Sequence, residues 1–238
     1  MSKILNLSSL MMLVPFSVLA EKNFEKKWDG LYLGGNIGGF INQPSINAHH
    51  VAFTNANGIC NQKPNYNSAL IGAQAGLSHQ FKSKLVMGIE GDFSYPFTQS
   101  TQTSCTCDFY PQYYDQFNLT FRNQGSIRGR IAYAASQNIL PYFTAGASFA
   151  NMAANYNNEV DDHYYGTNIQ PGWTVGGGLE WAYSKQLSLR IDYFYQQYNR
   201  LEMQIPSIYD IYDSSAQGIF SLNSHRIQFA INYWFPEL

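Results

Sequence analysis

Residues 226–235 read RIQFAINYWF, and the fold is clearest in this stretch. Every second residue from Ile227 to Phe235 is apolar or aromatic, whereas Arg226, Gln228 and Asn232 alternate with them. Because successive side chains of a β-strand point to opposite faces, the alternation predicts a strand with one apolar and one polar face.

The same alternation recurs in seven further stretches. Their apolar faces hold Leu31, Leu33, Ile37 and Ile41; Ile71, Ala73, Ala75 and Leu77; Met87, Ile89, Phe93 and Tyr95; Phe117, Leu119, Phe121, Ile127, Ile131 and Tyr133; Phe143, Ala145, Ala147 and Phe149; Trp173, Val175, Leu179 and Trp181; and Leu189, Ile191, Tyr193 and Tyr195. Short links at 82–84, 135–139 and 184–186 alternate with long polar excursions at 42–67, 96–115, 151–170 and 199–222. Pro96, Pro141 and Pro171 fall at predicted strand ends. We therefore predict an all-β fold, an eight-stranded antiparallel up-and-down transmembrane β-barrel with one plain and one elaborated end.

The composition favours a protein that does not face water on all sides. Charged residues make up 13% of the chain, about half the ~25% of typical soluble domains. Aromatic residues reach 16%, with 18 tyrosines. The formal net charge of −2 comes without a basic stripe, which argues against nucleic acid as a partner.

The first residues have the features of a secretory signal. Lys3 precedes an apolar run, and the small residues Val18 and Ala20 fit a cleavage site after Ala20. We expect residues 1–20 to be a signal peptide and residues 21–238 to be the barrel domain. A membrane anchor is the alternative for the first segment.

Alternation alone leaves open which face points inward, since a soluble carrier of the lipocalin type turns its apolar face in. The polar face carries four acids and four arginines: Glu90, Asp92, Arg128, Arg130, Glu180, Arg190, Asp192 and Arg226. Arginine suits buried bidentate pairing with carboxylates, and lysine is absent from this set. The same face has glycines at Gly34, Gly38, Gly72, Gly76, Gly88, Gly146, Gly176 and Gly178. Because an eight-stranded barrel is narrow, glycines leave room for long arginines, and we predict a charge network in the lumen.

Aromatic residues gather where the predicted strands end. The plain end has Trp28, Phe81, Tyr133, Tyr142, Trp181, Tyr183, Tyr233, Trp234 and Phe235, and the elaborated end has Tyr95, Phe149, Trp173 and Tyr195. Two aromatic girdles around an apolar band ~25 Å tall suit the two head-group layers of a membrane. The pattern predicts that these residues face outward and that the apolar face meets lipid.

Four segments together resemble a known family. They are residues 28–35 (WDGLYLGG), 88–93 (GIEGDF), 126–133 (SIRGRIAY) and 172–180 (GWTVGGGLE). They resemble the small outer-membrane β-barrel family of Gram-negative bacteria, which includes the opacity-type and "porin family" surface proteins. The resemblance implies a place in the bacterial outer membrane, with periplasmic termini and four long extracellular loops. It also implies outer-membrane lipid and the barrel-assembly machinery as partners.

Members of that family are described as surface antigens, adhesins or minor pores. We expect a structural role and an interaction role with host or surface ligands, and a narrow pore for ions or small solutes is the alternative. Rigid tyrosines with polar tips are typical of contact surfaces. The candidate contact residues are Tyr113, Tyr114, Tyr164, Tyr165, Tyr209 and Tyr212. The alternative for these tyrosines is that the loops pack on one another over the barrel mouth. The alternative for the lumen charges is that they form a gate or a proton path.

Three cysteines lie in the first two long excursions. Cys60 can bridge to Cys105 or to Cys107, which leaves one thiol over. An exported protein meets an oxidising compartment, so one disulfide is expected, and the sequence leaves its pairing open.

The remaining motifs predict no catalysis. The runs at 49–50 (HH) and 161–163 (DDH) lack ligand spacing on a rigid element, so no metal is expected. The segment 34–39 lacks the glycine spacing of a dinucleotide motif, and no Ser/His/Asp set is legible. We expect neither a cofactor nor enzyme activity.

Overall fold

The chain folds into antiparallel β-strands. The computed structural model describes residues 27–52, 56–62, 66–98, 100–107, 110–157, 163–205 and 216–235. Within these ranges there are ten strands: β1 (Gly30–Ala52), β2 (Ala56–Gln62), β3 (Tyr66–Gln80), β4 (Leu85–Pro96), β5 (Ser100–Cys107), β6 (Tyr110–Tyr133), β7 (Ile139–Asn157), β8 (His163–Ala182), β9 (Leu187–Ile205) and β10 (Ala216–Trp234). No helix in these ranges is long and apolar enough to span a membrane.

Eight of the strands close a barrel. They follow the order β10-β9-β8-β7-β6-β4-β3-β1, and β1 pairs back with β10. The closing ladder runs from Tyr32 opposite Trp234 to His49 opposite Gln217. The two shorter strands lie off this ring, because β2 pairs with β1 and β5 pairs with β6. The predicted eight-stranded antiparallel up-and-down barrel is thus confirmed.

Three tight turns form the plain end. In the first, the N–H of Phe81 donates to the Leu85 carbonyl at 2.8 Å, and Lys84 takes a left-handed φ of 66°. In the other two, a serine side chain holds the turn: Ser136 Oγ accepts from the Ile139 N–H at 3.1 Å, and Ser184 Oγ from the Leu187 N–H at 3.0 Å. The short links predicted at these positions are confirmed.

The long polar excursions predicted from the sequence are built mostly of paired strand. β1 continues to Ala52 and pairs with β2, and β5 pairs with β6 over Ser100–Cys107. β7 and β8 stay paired as far as Asn157 opposite His163. Over these residues the excursions are therefore extensions of the strands, since Thr, Tyr and Ile side chains favour strand even where the surroundings are aqueous.

The strand extensions at the elaborated end form two lobes. The β8–β9 ladder ends at Gly172 opposite Tyr198, and beyond that pair β8 stays with β7 and β9 with β10. Pro171, which has no N–H to donate, adjoins the last pair and lies within β8 rather than at its end as predicted. One lobe holds the extensions of β2, β1, β10 and β9, and the other those of β8, β7, β6 and β5. β2 and β5 lie close together where the lobes meet.

Irregularities in pairing sit at the base of the lobes. The β6–β7 register shifts between Phe121 and Asn123, and the β9–β10 register shifts between Phe220 and Leu222. An extra residue in one strand reverses the alternation of faces beyond it. Phe121 is therefore only 5% exposed and points into the lumen, and the prediction that it faces outward is wrong. The side chains of Phe117 and Leu119 lie outside the described residues.

The two faces of the wall have opposite chemistry. The outward Ile, Leu and Phe side chains are exposed, up to 68% for Ile127, whereas Arg226 is 0% exposed. On β10 the exposed set runs from Ile227 to Phe235, about the nine residues that a tilted strand needs to cross the hydrocarbon core. An apolar belt of this height on a charge-filled barrel faces lipid, as the sequence predicts.

Most of the predicted girdle residues lie on the outer surface. Phe81, Tyr133, Trp181, Tyr183, Tyr233 and Phe235 are exposed near the plain end, and Tyr95, Phe149 and Trp173 near the other. Trp28, Tyr142 and Trp234 instead are buried inside the barrel, so their prediction is wrong. Tyr142 and Trp234 share strand parity with the polar face, and their O–H and N–H groups find acceptors there.

A charge on the outer face tests this arrangement. Phe229→Lys should lower the free energy of unfolding from phospholipid vesicles by about 2–4 kcal/mol, because the cation would sit in hydrocarbon. Gln137→Lys, in an exposed turn, is the matched control and should change little. Equal stability of both variants in a urea titration would show that Phe229 does not contact acyl chains.

Candidate functional site

The eight predicted lumen charges all lie on the inner wall. They sit on five strands: Glu90 and Asp92 on β4, Arg128 and Arg130 on β6, Glu180 on β8, Arg190 and Asp192 on β9, and Arg226 on β10. All eight are buried. The strand register brings opposite charges together, since Glu90 lies opposite Arg128 and Glu180 opposite Arg190. The period of two residues along each strand keeps their neighbours on the same face.

Six of these charges form a continuous chain of ion pairs. Arg128 binds both Glu90 and Asp92. Arg226 reaches Asp92 from the other side with its guanidinium 2.9 Å from Oδ2. Arg190 binds Glu90 and, at 2.9 Å, Asp192. Each carboxylate of β4 is therefore shared between two arginines.

Tyr32 joins the remaining pair to this chain. Its hydroxyl donates to Glu90 Oε2 at 2.5 Å and accepts from Arg130 at 3.4 Å, and Arg130 forms an ion pair with Glu180. Four guanidinium groups and four carboxylates thus make one connected network. Such a set is formally neutral, which avoids the large cost of an uncompensated charge in a dry interior.

Neutral side chains complete the hydrogen bonding of the acids. The Tyr142 hydroxyl donates to Asp192 Oδ1. The Gln228 amide Nε2 donates to Asp192 Oδ2 at 2.8 Å. Ser188 Oγ at 2.5 Å and Asn232 Nδ2 at 3.0 Å donate to Glu180 Oε1. Satisfying the carboxylate lone pairs in this way is what makes buried ion pairs tolerable.

Two aromatic rings cover the guanidinium groups. The Phe194 ring lies between Arg128 and Arg226, with its centroid 4.4 and 4.7 Å from their Cζ atoms. The Tyr142 ring lies 4.0 Å from the Cζ of Arg130 and 5.2 Å from that of Arg190. Cation–π contacts of this kind orient the arginines and exclude water.

Interior glycines make space for these rings. A Cβ atom on Gly76 would lie 2.4 Å from the Tyr32 ring, and one on Gly178 would lie 2.7 Å from Asp192 Oδ1. The sequence predicts glycines opposite long arginines. In the structure, the space at these two positions is taken by the aromatic partners of the network and by Asp192.

An aromatic cluster closes the lumen below the network. It consists of Trp28, Tyr32, Val86, Ala132, Ala134, Leu140, Tyr142, Ala182 and Trp234. Trp28 and Trp234 meet edge to face with centroids 5.7 Å apart, and the Trp234 indole donates to Ser188 Oγ at 3.0 Å. The plain end is therefore filled by side chains.

Apolar side chains also narrow the lumen above the network. Phe40, Phe121, Tyr198 and Leu222 surround a cavity of about 10 Å³, the room of about one water molecule. The Tyr198 hydroxyl donates to Gln124 Oε1 across this space at 3.1 Å. Together the two caps and the network fill the described part of the barrel along its axis.

Sequence reasoning missed the roles of Tyr142, Phe194 and Trp234. All three share strand parity with the charged residues, so their face is legible from the alternation. Aromatic character drew attention to the strand ends instead. The signal that identifies them is an even spacing from a charged or polar residue of the inner face on the same strand. Phe194, for example, lies two residues after Asp192.

The other predicted site residues lie at the elaborated end. Tyr113 and Tyr114 belong to β6, and Tyr164 and Tyr165 to β8, whereas Tyr209 and Tyr212 lie outside the described residues. Tyr164 is registered opposite Tyr156 on β7.

The cysteines and the histidine runs also lie there. Cys60 is on β2, and Cys105 and Cys107 are on β5. Their side chains are outside the described residues, as are those of the runs at 49–50 and 161–163. Among the side chains that are described, no three His, Cys, Asp or Glu residues converge into a group that could hold a metal ion.

Similarity to known proteins agrees with this architecture. Residues 7–235 match the model of the outer membrane protein beta-barrel domain. The 25 kDa outer-membrane immunogenic protein of Brucella abortus is 28% identical over 164 residues, which span 69% of this chain and 64% of that protein. The Brucella ovis protein of the same name is 31% identical over 56% of this chain and 57% of its own length. The outer membrane protein OprG of Pseudomonas aeruginosa has a similar fold, with a TM-score of 0.55 at 8% identity, covering 90% of this chain and 100% of OprG.

Removal of one arginine tests the network. Arg128→Ala should cost about 3–5 kcal/mol of unfolding free energy, because it leaves Glu90 and Asp92 with fewer cationic partners in a buried site. Arg200→Ala, which removes an exposed arginine on β9, is the control and should cost little. Urea unfolding in vesicles measures both variants, and planar-bilayer recordings check that Arg128→Ala changes stability more than conductance. Unchanged stability with a large gain in conductance would favour a gate over a static network.

Proposed function

Because the chain belongs to the outer membrane protein β-barrel family, we propose that it is a structural and surface-interaction protein whose strand extensions contact host or surface ligands outside the cell. Its place in the outer membrane follows from the family and from the apolar belt. The strand extensions, rather than the lumen, would then bind the ligands.

The filled lumen supports this choice. An interior that is sealed by an aromatic cluster, a neutral ion-pair network and an apolar cap offers solutes no open path through the described residues. A narrow pore, the alternative, requires those side chains to move together. The energy of the buried pairs opposes such movement.

The strand extensions supply a surface instead. Paired strands hold Tyr113 and Tyr114 on one extension and Tyr164 and Tyr165 on another, all within the lobe formed by β5 to β8. Tyrosines on a rigid scaffold give contact area at a small entropic cost. This arrangement is the observation that carries the proposal.

Several expectations accompany it. The proposed role is non-catalytic, and insertion into the membrane would depend on the barrel-assembly machinery. The periplasmic side would hold the termini and tight turns, and residues 1–20 would be removed as a signal peptide.

A disulfide between the lobes is the first test. β2 and β5 lie close together, so a bond from Cys60 to Cys105 or Cys107 would fasten the two lobes on that side. Peptide mapping of the non-reduced protein from intact cells should find one such link and one free thiol. Alkylation of all three thiols without a reductant would contradict it.

Binding by the lobes is the second test. Replacing Tyr113, Tyr114, Tyr164 and Tyr165 by serine should reduce adhesion of protein-bearing vesicles to host cells or matrix by at least tenfold, since the loss of two contacts of about 1 kcal/mol each already exceeds the ~1.4 kcal/mol that a factor of ten requires. The control replaces Lys82 by serine and Ser83 by glycine, in the exposed turn at 81–84 at the plain end. A deletion of 206–213 extends the series, with a Gly-Ser segment of equal length as its own control.

Two results would contradict the proposal. Intact adhesion in both the tyrosine variant and the deletion would remove the lobes as the contact surface. Well-defined single-channel steps from the purified wild type in planar bilayers would favour the pore.

A further inference from the structure

The outer wall of the barrel has a polar aromatic patch on strands β8, β9 and β10. The Tyr193 hydroxyl hydrogen-bonds His225 Nδ1 at 2.7 Å. The Tyr195 ring lies 5.2 Å from the His225 ring and 5.5 Å from the Trp173 ring, centroid to centroid. One imidazole is thus held between two tyrosines beside an indole, on the face that otherwise meets acyl chains.

Strand register places this patch at one membrane boundary. His225 lies opposite Tyr195, and the next outward pair is Gln197 with Asn223. From His225 to Trp234 at the plain end, β10 has ten residues, about the length that a tilted strand needs to cross the hydrocarbon core. The patch therefore lies where acyl chains give way to head groups, on the side of the two lobes.

We propose that this patch binds the phosphorylated saccharide head group of the outer-leaflet glycolipid. The proposal concerns the outer wall and is independent of the lobes. The patch continues the lipid-facing belt directly, from Ile227 on β10 to His225 two residues further.

The side chains suit a sugar that carries phosphate. Aromatic faces such as those of Trp173 and Tyr195 pack against the C–H faces of a sugar ring. His225 Nε2, the ring nitrogen not bonded to Tyr193, and the amides of Gln197 and Asn223 offer hydrogen bonds to hydroxyl or phosphate oxygens. Arg200, exposed three residues beyond Gln197 on β9, adds a fixed positive charge that complements phosphate.

A second outward histidine supplies a matched control. His79 on β3 is also exposed and hydrogen-bonds a neighbour, Asp29, at 2.9 Å. It lies near the tight turn at 81–84 and the Phe81 ring, at the opposite boundary. The carboxylate of Asp29 beside His79 would repel phosphate, so this histidine should not bind the phosphorylated head group even in micelles.

The test measures lipid A binding to the full-length protein in detergent micelles by native mass spectrometry, with phosphatidylglycerol as the competing phosphate-bearing lipid. Wild type should prefer lipid A. His225→Ala should weaken lipid A binding about tenfold and Tyr193→Phe about threefold, since each loses hydrogen bonds to the head group or to the imidazole that meets it. His79→Ala should bind lipid A as wild type does.

Unfolding in urea confirms that each variant is folded, and Tyr193→Phe keeps the test valid if His225→Ala does not fold. Equal lipid A binding by wild type, His225→Ala and Tyr193→Phe would overturn the proposal. So would equal losses in His79→Ala and His225→Ala, or equal binding of lipid A and phosphatidylglycerol by wild type, because each outcome removes the assignment to an outer-leaflet glycolipid.

Discussion

The rest of the structure depends on charge balance inside the barrel. Four arginines and four carboxylates share one narrow lumen, and each acid has at least one guanidinium partner. A single unmatched charge in such a space would be expensive, so the charged residues of β4, β6, β8, β9 and β10 that face inward are bound to one another. Strand register is fixed by this requirement, because a shift of one residue would turn every charge toward lipid.

Charge balance also explains what the rest of the lumen contains. Rings of Phe194 and Tyr142 lie against the guanidinium groups, and glycines on facing strands leave them room. With the centre neutral and filled, each end can be closed by apolar side chains. The barrel then serves as a rigid support. The residues that other molecules can contact lie on its outer wall and on the two lobes.

Alternation along the chain was enough to predict the barrel and its tight turns, and the arginines and glycines of the polar face together with the aromatic girdles predicted the inward direction of all eight charges. The sequence predicted the wrong face of the barrel wall where the strand register shifts, and also where the type of a residue suggested the outer surface. The shift after Phe121 reverses the face of that residue, and one-residue insertions leave no mark in the pattern. Trp234 was assigned to a girdle because aromatic residues favour membrane boundaries, although its parity with Asn232 places it inside.

The lobes were missed because polar strands that project into water resemble loops in composition. Which carboxylate binds which arginine depends on barrel closure, as in the contact of Glu90 with Arg190, and no local pattern contains it.

A double-mutant cycle on Arg130 and Glu180 is the sharpest test of charge balance, because neither forms an ion pair with any other side chain that the structure describes. Arg130→Met and Glu180→Gln, alone and together, are unfolded by urea from phospholipid vesicles. A balanced buried network predicts that each single variant loses about 3–5 kcal/mol and that the double variant loses clearly less than the two losses added, since it leaves no uncompensated charge. Additive losses would show that the two side chains do not depend on each other and would contradict a sequestered, mutually neutralised lumen.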